Sequence, residues 1–427
     1  MYKDKIISLL KNEMGQALGV TEPAAIALAS CKAYEVVGGN LKKIKIITDP
    51  GVFKNGFSCG IPGTDEMGNE IAAILGVLAG NSKLELKVLE NIKEEHIVKA
   101  KKLREEKIAE VDVKKGLTEI LIDTTVITDK GTGRVVIKEK HTNIVLIEVN
   151  GKIKYKAEDN EKEEVNKEKF SLTNLKLIDF VNFVNEVSFE DIKFTLEAVK
   201  VNKELAEEGM NGAGMGLGKT IAELAKEQKI SQDIVSYAQM LTGYAVDARM
   251  GGMSKPAMTI CGSGDHGIIA TMPLAAVAEK MNIGEERLAK AIALSYLVTI
   301  YIKKLSGRLS AFCGCAVAAG TGVSVGAVYL LEGNVKQMEY TINNMSANIT
   351  GMICDGGNLG CSLKAVTATN AAIMSALLSL KNIFIPNNSG IVANTVEETM
   401  KNIGKIASPG MLETNNVILD TMLERNK

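Results

Sequence analysis

Residues 118–149, TEILIDTTVITDKGTGRVVIKEKHTNIVLIEV, decide the fold class. Three runs within them, TEILIDTTVIT at 118–128, GRVVIK at 133–138 and NIVLIEV at 143–149, cluster or alternate β-branched residues and read as strands. Asp129, Lys130 and Gly131 separate the first two, and a glycine following two polar residues predicts a hairpin. Upstream, IKIIT at 44–48 is a further strand-like run. Residues 91–111, with Ile92, His96, Ile97, Ala100 and Leu103 in helical register, predict a charged helix. The first 40 residues read as two helices joined by GVTEP, the first amphipathic through Ile6, Ile7, Leu10 and Met14.

Downstream, residues 151–168, GKIKYKAEDNEKEEVNKE, are almost wholly polar with both signs mixed, which predicts a solvated connection or a strand-and-loop excursion at a domain boundary. From 173 onward strand signals vanish. Leu177, Val181 and Val184 repeat at helical spacing, and Ser188 followed by Asp191 starts the next helix with a capping-box-like pair. Further helices are expected around 219–229, 231–247, 285–304, 311–331, 338–350, 362–380 and 393–407. The expected fold is α+β. An N-terminal mixed α/β domain with a β-hairpin spans 1–172, helix pair included, and a large Ala/Gly-rich all-helical domain spans 173–427.

Composition narrows the function classes. A chain of 427 residues exceeds one ordinary core. Trp is absent and aromatics are 4%, so the core depends on close-packed helices with small side chains. A net charge of −1 without a basic cluster excludes a nucleic-acid footprint. The N-terminal stretch lacks a secretion signal's apolar core, and an odd count of seven cysteines is no disulfide framework, so a cytoplasmic location is expected. Residues 311–331, AFCGCAVAAGTGVSVGAVYLL, are uncharged and long enough to span a membrane. Their Gly and Ala content, with no second span or aromatic belt, favours a buried helix and no membrane partner.

The cysteines are the most informative feature. Cys313 and Cys315 lie in FCGCAVAAG, Cys354 and Cys361 in GMICDGGNLGCSLK. Glycines let a backbone wrap an inorganic core and offer N–H groups to its sulfurs. Paired CxxC motifs are missing, so a zinc ribbon fits poorly. Spacing alone leaves three readings open: a metal site, buried thiols, or a redox or nucleophilic cysteine. GMNGAGMGLGKT at 209–220 departs from a phosphate loop at Ala213 and follows a helical segment rather than a strand, which favours a helix–helix turn. DARMGGMSKPAMTICGSGDHG at 247–267 reads as a loop in which CGSG offers a backbone nest for a carboxylate and Arg249 a bidentate clamp. Among the histidines, His96 reads as solvated, His141 opens a strand beside Thr142 and Asn143, and His266 lies in the glycine loop.

These segments carry a resemblance that runs end to end. ALGVTEPAAIALA (17–29), KNG (54–56), PGT (62–64), HTNIV (141–145), VNEV (184–187), DARMGG (247–252), PAM (256–258), GSG (262–264), TMP (271–273), RLSA (308–311) and GMICDG (351–356) followed by the last cysteine occur in order. The chain resembles the serine dehydratase-like alpha-subunit superfamily, and most closely its L-cysteine desulfidase branch. The resemblance implies a [4Fe–4S] cluster on three cysteines with one iron open, carried here by Cys313, Cys354 and Cys361, with Cys315 the alternative to Cys313. It implies non-redox β-elimination of L-cysteine to pyruvate, ammonia and hydrogen sulfide. L-serine dehydration and an inactive metabolite-binding homologue are the alternatives. Glu22 and His141 are the expected catalytic pair; Thr21, Asn55, Asn143, Arg249, Ser263 and Gly264 are expected to bind a small amino-acid substrate. A homo-oligomer is compatible with this reading. Relatives usually read GCTEP where this chain has Val20, which bears on the choice between cysteine and serine.

Overall fold

The computed structural model describes residues 2–117, 119–157, 170–307 and 311–424, and they form an α+β fold with strands first and helices after. The chain divides into two compact units. A helical unit comprises Met1–Gln16, Ser171–Cys354 and Leu359–Asn415; a sheet unit comprises Ala17–Phe170, Asp355–Asn358 and Asn416–Lys427. A single cut at 172/173 therefore puts Met1–Gln16, Asp355–Asn358 and Asn416–Lys427 on the other side from where contacts group them.

In the sheet unit six strands lie in the spatial order Ala109–Val113, Leu41–Thr48, Leu121–Thr128, Gly131–Lys138, Ile144–Val149 and Lys152–Lys156. The hairpin forms where the local pattern places it, with Thr128 paired to Gly131 across Asp129 and Lys130. Ala109–Val113 runs parallel to Leu41–Thr48 and the other pairings are antiparallel. The helix expected over 91–111 is shorter, Glu94–Glu105, and its last residues become that parallel strand. AEVDV hides among charges because an edge strand buries little of its surface. The opposite edge, Lys152–Lys156, is exposed throughout and is the strand part of the polar connection; residues 158–168 of that connection lie outside the described residues. Thr21–Val37 packs on the sheet through small side chains, with Ala25, Ala27, Ala29 and Ala33 fully buried. Two helices had no clear periodic signal, Pro50–Gly56 and Asn69–Ala79. Asp49 caps the first, its Oδ1 accepting from Gly51 N at 2.7 Å and Val52 N at 3.1 Å.

In the helical unit the expected helices appear as Leu177–Glu186, Leu196–Met210, Leu217–Lys226, Ile234–Met250, Glu285–Ser306, Val335–Ile349, Gly360–Leu380 and Val396–Lys405. Ser188 Oγ accepts from Asp191 N, as its position before a helix requires. Four corrections follow from tertiary pairing. The N-terminal helix stops at Glu13, with Ile6 and Leu10 buried, and the chain then turns into a strand at Met14 that pairs with Pro256–Ile260. That strand also breaks the expectation of no strands after 173. Most of 247–267 is ordered rather than loop: a helix ends at Met250, the strand follows, and a helix begins at Gly264. The helix expected over 311–331 starts late: Phe312 bridges Ile353, and the buried helix runs over Cys315–Leu330 with a π turn at Cys315–Ala319.

Among the described residues one helix, Gly360–Leu380, is long and apolar enough to cross a membrane, and half of its apolar window is buried.

Candidate functional site

The helical unit gathers thiols. Phe312 bridges Ile353 in antiparallel fashion, Cys313 N donates to Met352 O and Cys354 N donates to Ala311 O, each at 2.7 Å. These bonds set Cys313 and Cys354 on neighbouring stretches; Cys313 clusters with Ala316 and Ala368, and Cys354 packs against that cluster. Cys361 stands in the first turn of Gly360–Leu380. None of the seven cysteines is in a disulfide.

Cys313 precedes its helix and Cys315 lies inside the π turn, so the two thiols differ electrically. The Cys315 thiol donates to Cys313, which lowers the Cys313 pKa against the effect of burial, and the Ala316 N–H adds to the lowering. The same bond, with burial, pushes Cys315 well above the ordinary cysteine range. Cys313 is thus the more readily ionised thiol of the pair.

A buried lysine completes this centre. Lys303, on Glu285–Ser306, is 5% exposed. Burial depresses its pKa, while Cys261, Cys315, Cys354 and Cys313 oppose that shift. Gly314 leaves room beside it: a Cβ there would stand 2.6 Å from His266 Nε2 and 3.2 Å from Lys303 Nζ. His266 is buried in the first turn of Gly264–Lys280, and its Nδ1 donates to Ile260 O at 3.3 Å.

Among the described residues, no three of His, Cys, Asp and Glu converge as a single ion requires. A cubane binds thiolates at separate iron corners, so its ligands stand apart. Cys313, Cys354 and Cys361 are soft thiol donors, the type that iron–sulfur clusters take.

Arg249 and the 260–264 turn lie in the same unit. Arg249 is 3% exposed, and its Nη1 donates to Asp265 Oδ1 at 2.7 Å. It therefore presents an ion pair rather than an isolated cation. Ile260 and Ser263 exchange two backbone bonds of 3.1 Å, which holds Ser263 just before the helix that starts at Gly264. N–H groups of that first helical turn have no intrahelical acceptors and suit a carboxylate. The glycine-rich 209–220 segment is a turn between two helices. Asp247 fills its anion position, accepting from Gly218 N at 2.9 Å and from the Leu217 and Met215 N–H groups.

The sheet unit holds a second centre. Thr21 Oγ1 donates to Glu22 Oε2 at 2.9 Å, and Asn55 Nδ2 donates to Glu22 Oε1 at 2.8 Å. His141, 7% exposed in the turn after Gly131–Lys138, sets Nε2 3.7 Å from Glu22 Oε1. Burial by itself would raise the Glu22 pKa, but His141, Asn55 and Thr21 reverse that and hold it at about 2. Asn143 does not join this group in its hydrogen bonds: its Nδ2 donates to Lys138 O and closes the turn that presents His141. Gly357 N donates to Asn55 O at 3.1 Å. A Cβ on Gly357 would meet Cys59 Cβ at 3.4 Å and Val20 Cγ1 at 3.5 Å, so Val20 lines the same wall.

Several of these residues had no sequence signal. Lys303 reads as an ordinary cation at a helix end, Asp265 as a first-turn acid, and Lys54, 2% exposed beside Asn55, as a surface lysine. RLSA falls mostly outside the described residues, which resume at Ala311.

The family model of the serine dehydratase alpha chain matches residues 83–420. A UPF0597 protein of Clostridium botulinum (strain Langeland) is 53% identical over 432 residues, covering 100% of both chains. UPF0597 proteins of Clostridium tetani and Caldanaerobacter subterraneus subsp. tengcongensis are 41% and 38% identical, covering 98% and 100% of each chain. The chain belongs to the serine dehydratase alpha-chain family.

Proposed function

We propose that this chain is a [4Fe–4S]-dependent lyase that removes the β-substituent of L-cysteine, yielding pyruvate, ammonia and hydrogen sulfide in the cytoplasm. The observation that carries the reading is the grouping of Cys313 and Cys354 on paired stretches beside the buried Lys303. Cys313, Cys354 and Cys361 would hold the cluster, which supplies a Lewis acid for the departing sulfur.

The chain's own residues account for the rest. Elimination needs the α-proton removed, and imidazole is the side chain suited to that near neutrality. His141 is assigned this step. Glu22, ionised far below neutrality, is too weak a base and instead orients and balances His141, as Thr21 and Asn55 orient Glu22. The helix start at Ser263–Gly264 is assigned the α-carboxylate, with Arg249 anchored behind it by Asp265. Loss of the proton and of the β-sulfur leaves an enamine, which water converts to pyruvate and ammonia.

L-serine is the second reading, because the resemblance to the desulfidase branch implies a thiol at the position that Val20 holds here. An inactive homologue is disfavoured by the intact hydrogen bonding around Glu22. Anaerobic reconstitution tests the proposal. Brown protein with about four irons and four sulfides per chain supports it; colourless protein with full activity contradicts it.

A further inference from the structure

We propose that Lys303 is a positioning residue for the iron–sulfur cluster, its ammonium reaching the thiolates beside Gly314 with the His266 imidazole next to it. This inference rests on the cluster reading and adds a residue that the ligand motif does not contain.

The geometry is specific to the CGC step. His266 Nε2 and Lys303 Nζ lie 2.6 Å and 3.2 Å from the point where a side chain at 314 would begin. Any residue but glycine between Cys313 and Cys315 would displace both nitrogens. Lys303 Nζ also stands 5.6 Å from the Phe312 ring centroid, on the other side of Cys313. The ammonium thus borders the residues on both flanks of the proposed ligand.

Its electrostatics point the same way. Burying an ammonium is unfavourable unless anions compensate. A [4Fe–4S] core with three thiolates is anionic, and one-electron reduction makes it more so. A fixed cation therefore favours retention of the cluster, and favours the reduced state more than the oxidised one. His266 is held in one tautomer, because a carbonyl can only accept and Nδ1 must donate to Ile260 O. Its Nε2 is then an acceptor beside Gly314, suited to steady the Lys303 ammonium.

The test compares anaerobically reconstituted wild type, Lys303→Gln and Lys303→Arg. Readouts are iron and sulfide per chain, the rate of iron loss to a chelator, and the cluster's reduction potential followed by electron paramagnetic resonance. Lys303→Gln is expected to lose iron about 10-fold faster or more and to show a more negative potential, with Lys303→Arg close to wild type. If Lys303→Gln retains no iron, rescue by Lys303→Arg supports the proposal, whereas equal loss in both variants shows a packing role and overturns it. A brown Lys303→Gln protein with wild-type potential and iron retention also overturns it and leaves the cluster reading intact. Colourless wild-type protein overturns both.

Discussion

Glu22 Oε1 and His141 Nε2 lie 3.7 Å apart, both side chains buried, and the carboxylate is the better solvated by protein donors. That asymmetry separates their roles. His141→Gln is expected to lower kcat by about 10²–10⁴-fold, the usual worth of a general acid–base group, while iron content stays at the wild-type level. Glu22→Gln is expected to lower kcat by about 10²-fold, because the imidazole loses its counter-charge but not its neighbours. Parallel steady-state kinetics and iron assays check both. Full activity in His141→Gln would remove it from the mechanism.

The same carboxylate makes stability depend on acid. Glu22 sits at about 2 in the folded chain against an ordinary 4.5, so its contribution is complete above 4.5 and disappears as pH falls through about 2. The difference is worth about 3 kcal/mol. Glu22→Gln should therefore be less stable than wild type at pH 6 and show a shallower loss of stability on acidification over that window. Denaturant melts at stepped pH measure it, and parallel curves for the two proteins would contradict the assignment.

The ligand set is tested by single substitutions. Cys313→Ala, Cys354→Ala and Cys361→Ala should each lose the cluster on anaerobic reconstitution, whereas Cys31→Ala and Cys59→Ala should keep it. Cys315→Ala should keep it too, because Cys315 sits inside the π turn and its thiol donates to Cys313. Iron retained in Cys313→Ala and lost in Cys315→Ala would move the ligand by two positions.

Val20 tests the substrate. It is 5% exposed and lines the wall with Cys59 and Gly357. If this position only packs, Val20→Cys is nearly volume-conserving and should change stability by less than about 1.5 kcal/mol, with little change in turnover. A rise of 10²-fold or more in sulfide release, the scale of an acid–base group, would show instead that the thiol takes part in proton transfer.

What the sequence made legible was local. The hairpin follows from β-branched runs around Asp129–Gly131, and the long helices follow from period and caps. The thiol positions stood out because cysteine and glycine are rare in such density. Thr21, Glu22, Asn55 and His141 meet, yet Asn143, two residues from His141, is used in the turn. Strand pairing over long separations escaped the pattern: Ala109–Val113 and Pro256–Ile260 are strands only because partners lie beside them. Lys303 was illegible for a similar reason, since nothing in KKLS distinguishes a buried ammonium from a solvated one.

The central claim, cluster-dependent elimination from cysteine, is tested most directly by anaerobic turnover of the reconstituted chain. Pyruvate and sulfide are to be quantified together, with cysteine and with serine, before and after removal of iron by a chelator. The account predicts equal amounts of pyruvate and sulfide from cysteine, less pyruvate from serine, and loss of both activities with the iron. An intact cluster with no pyruvate from either amino acid would contradict it.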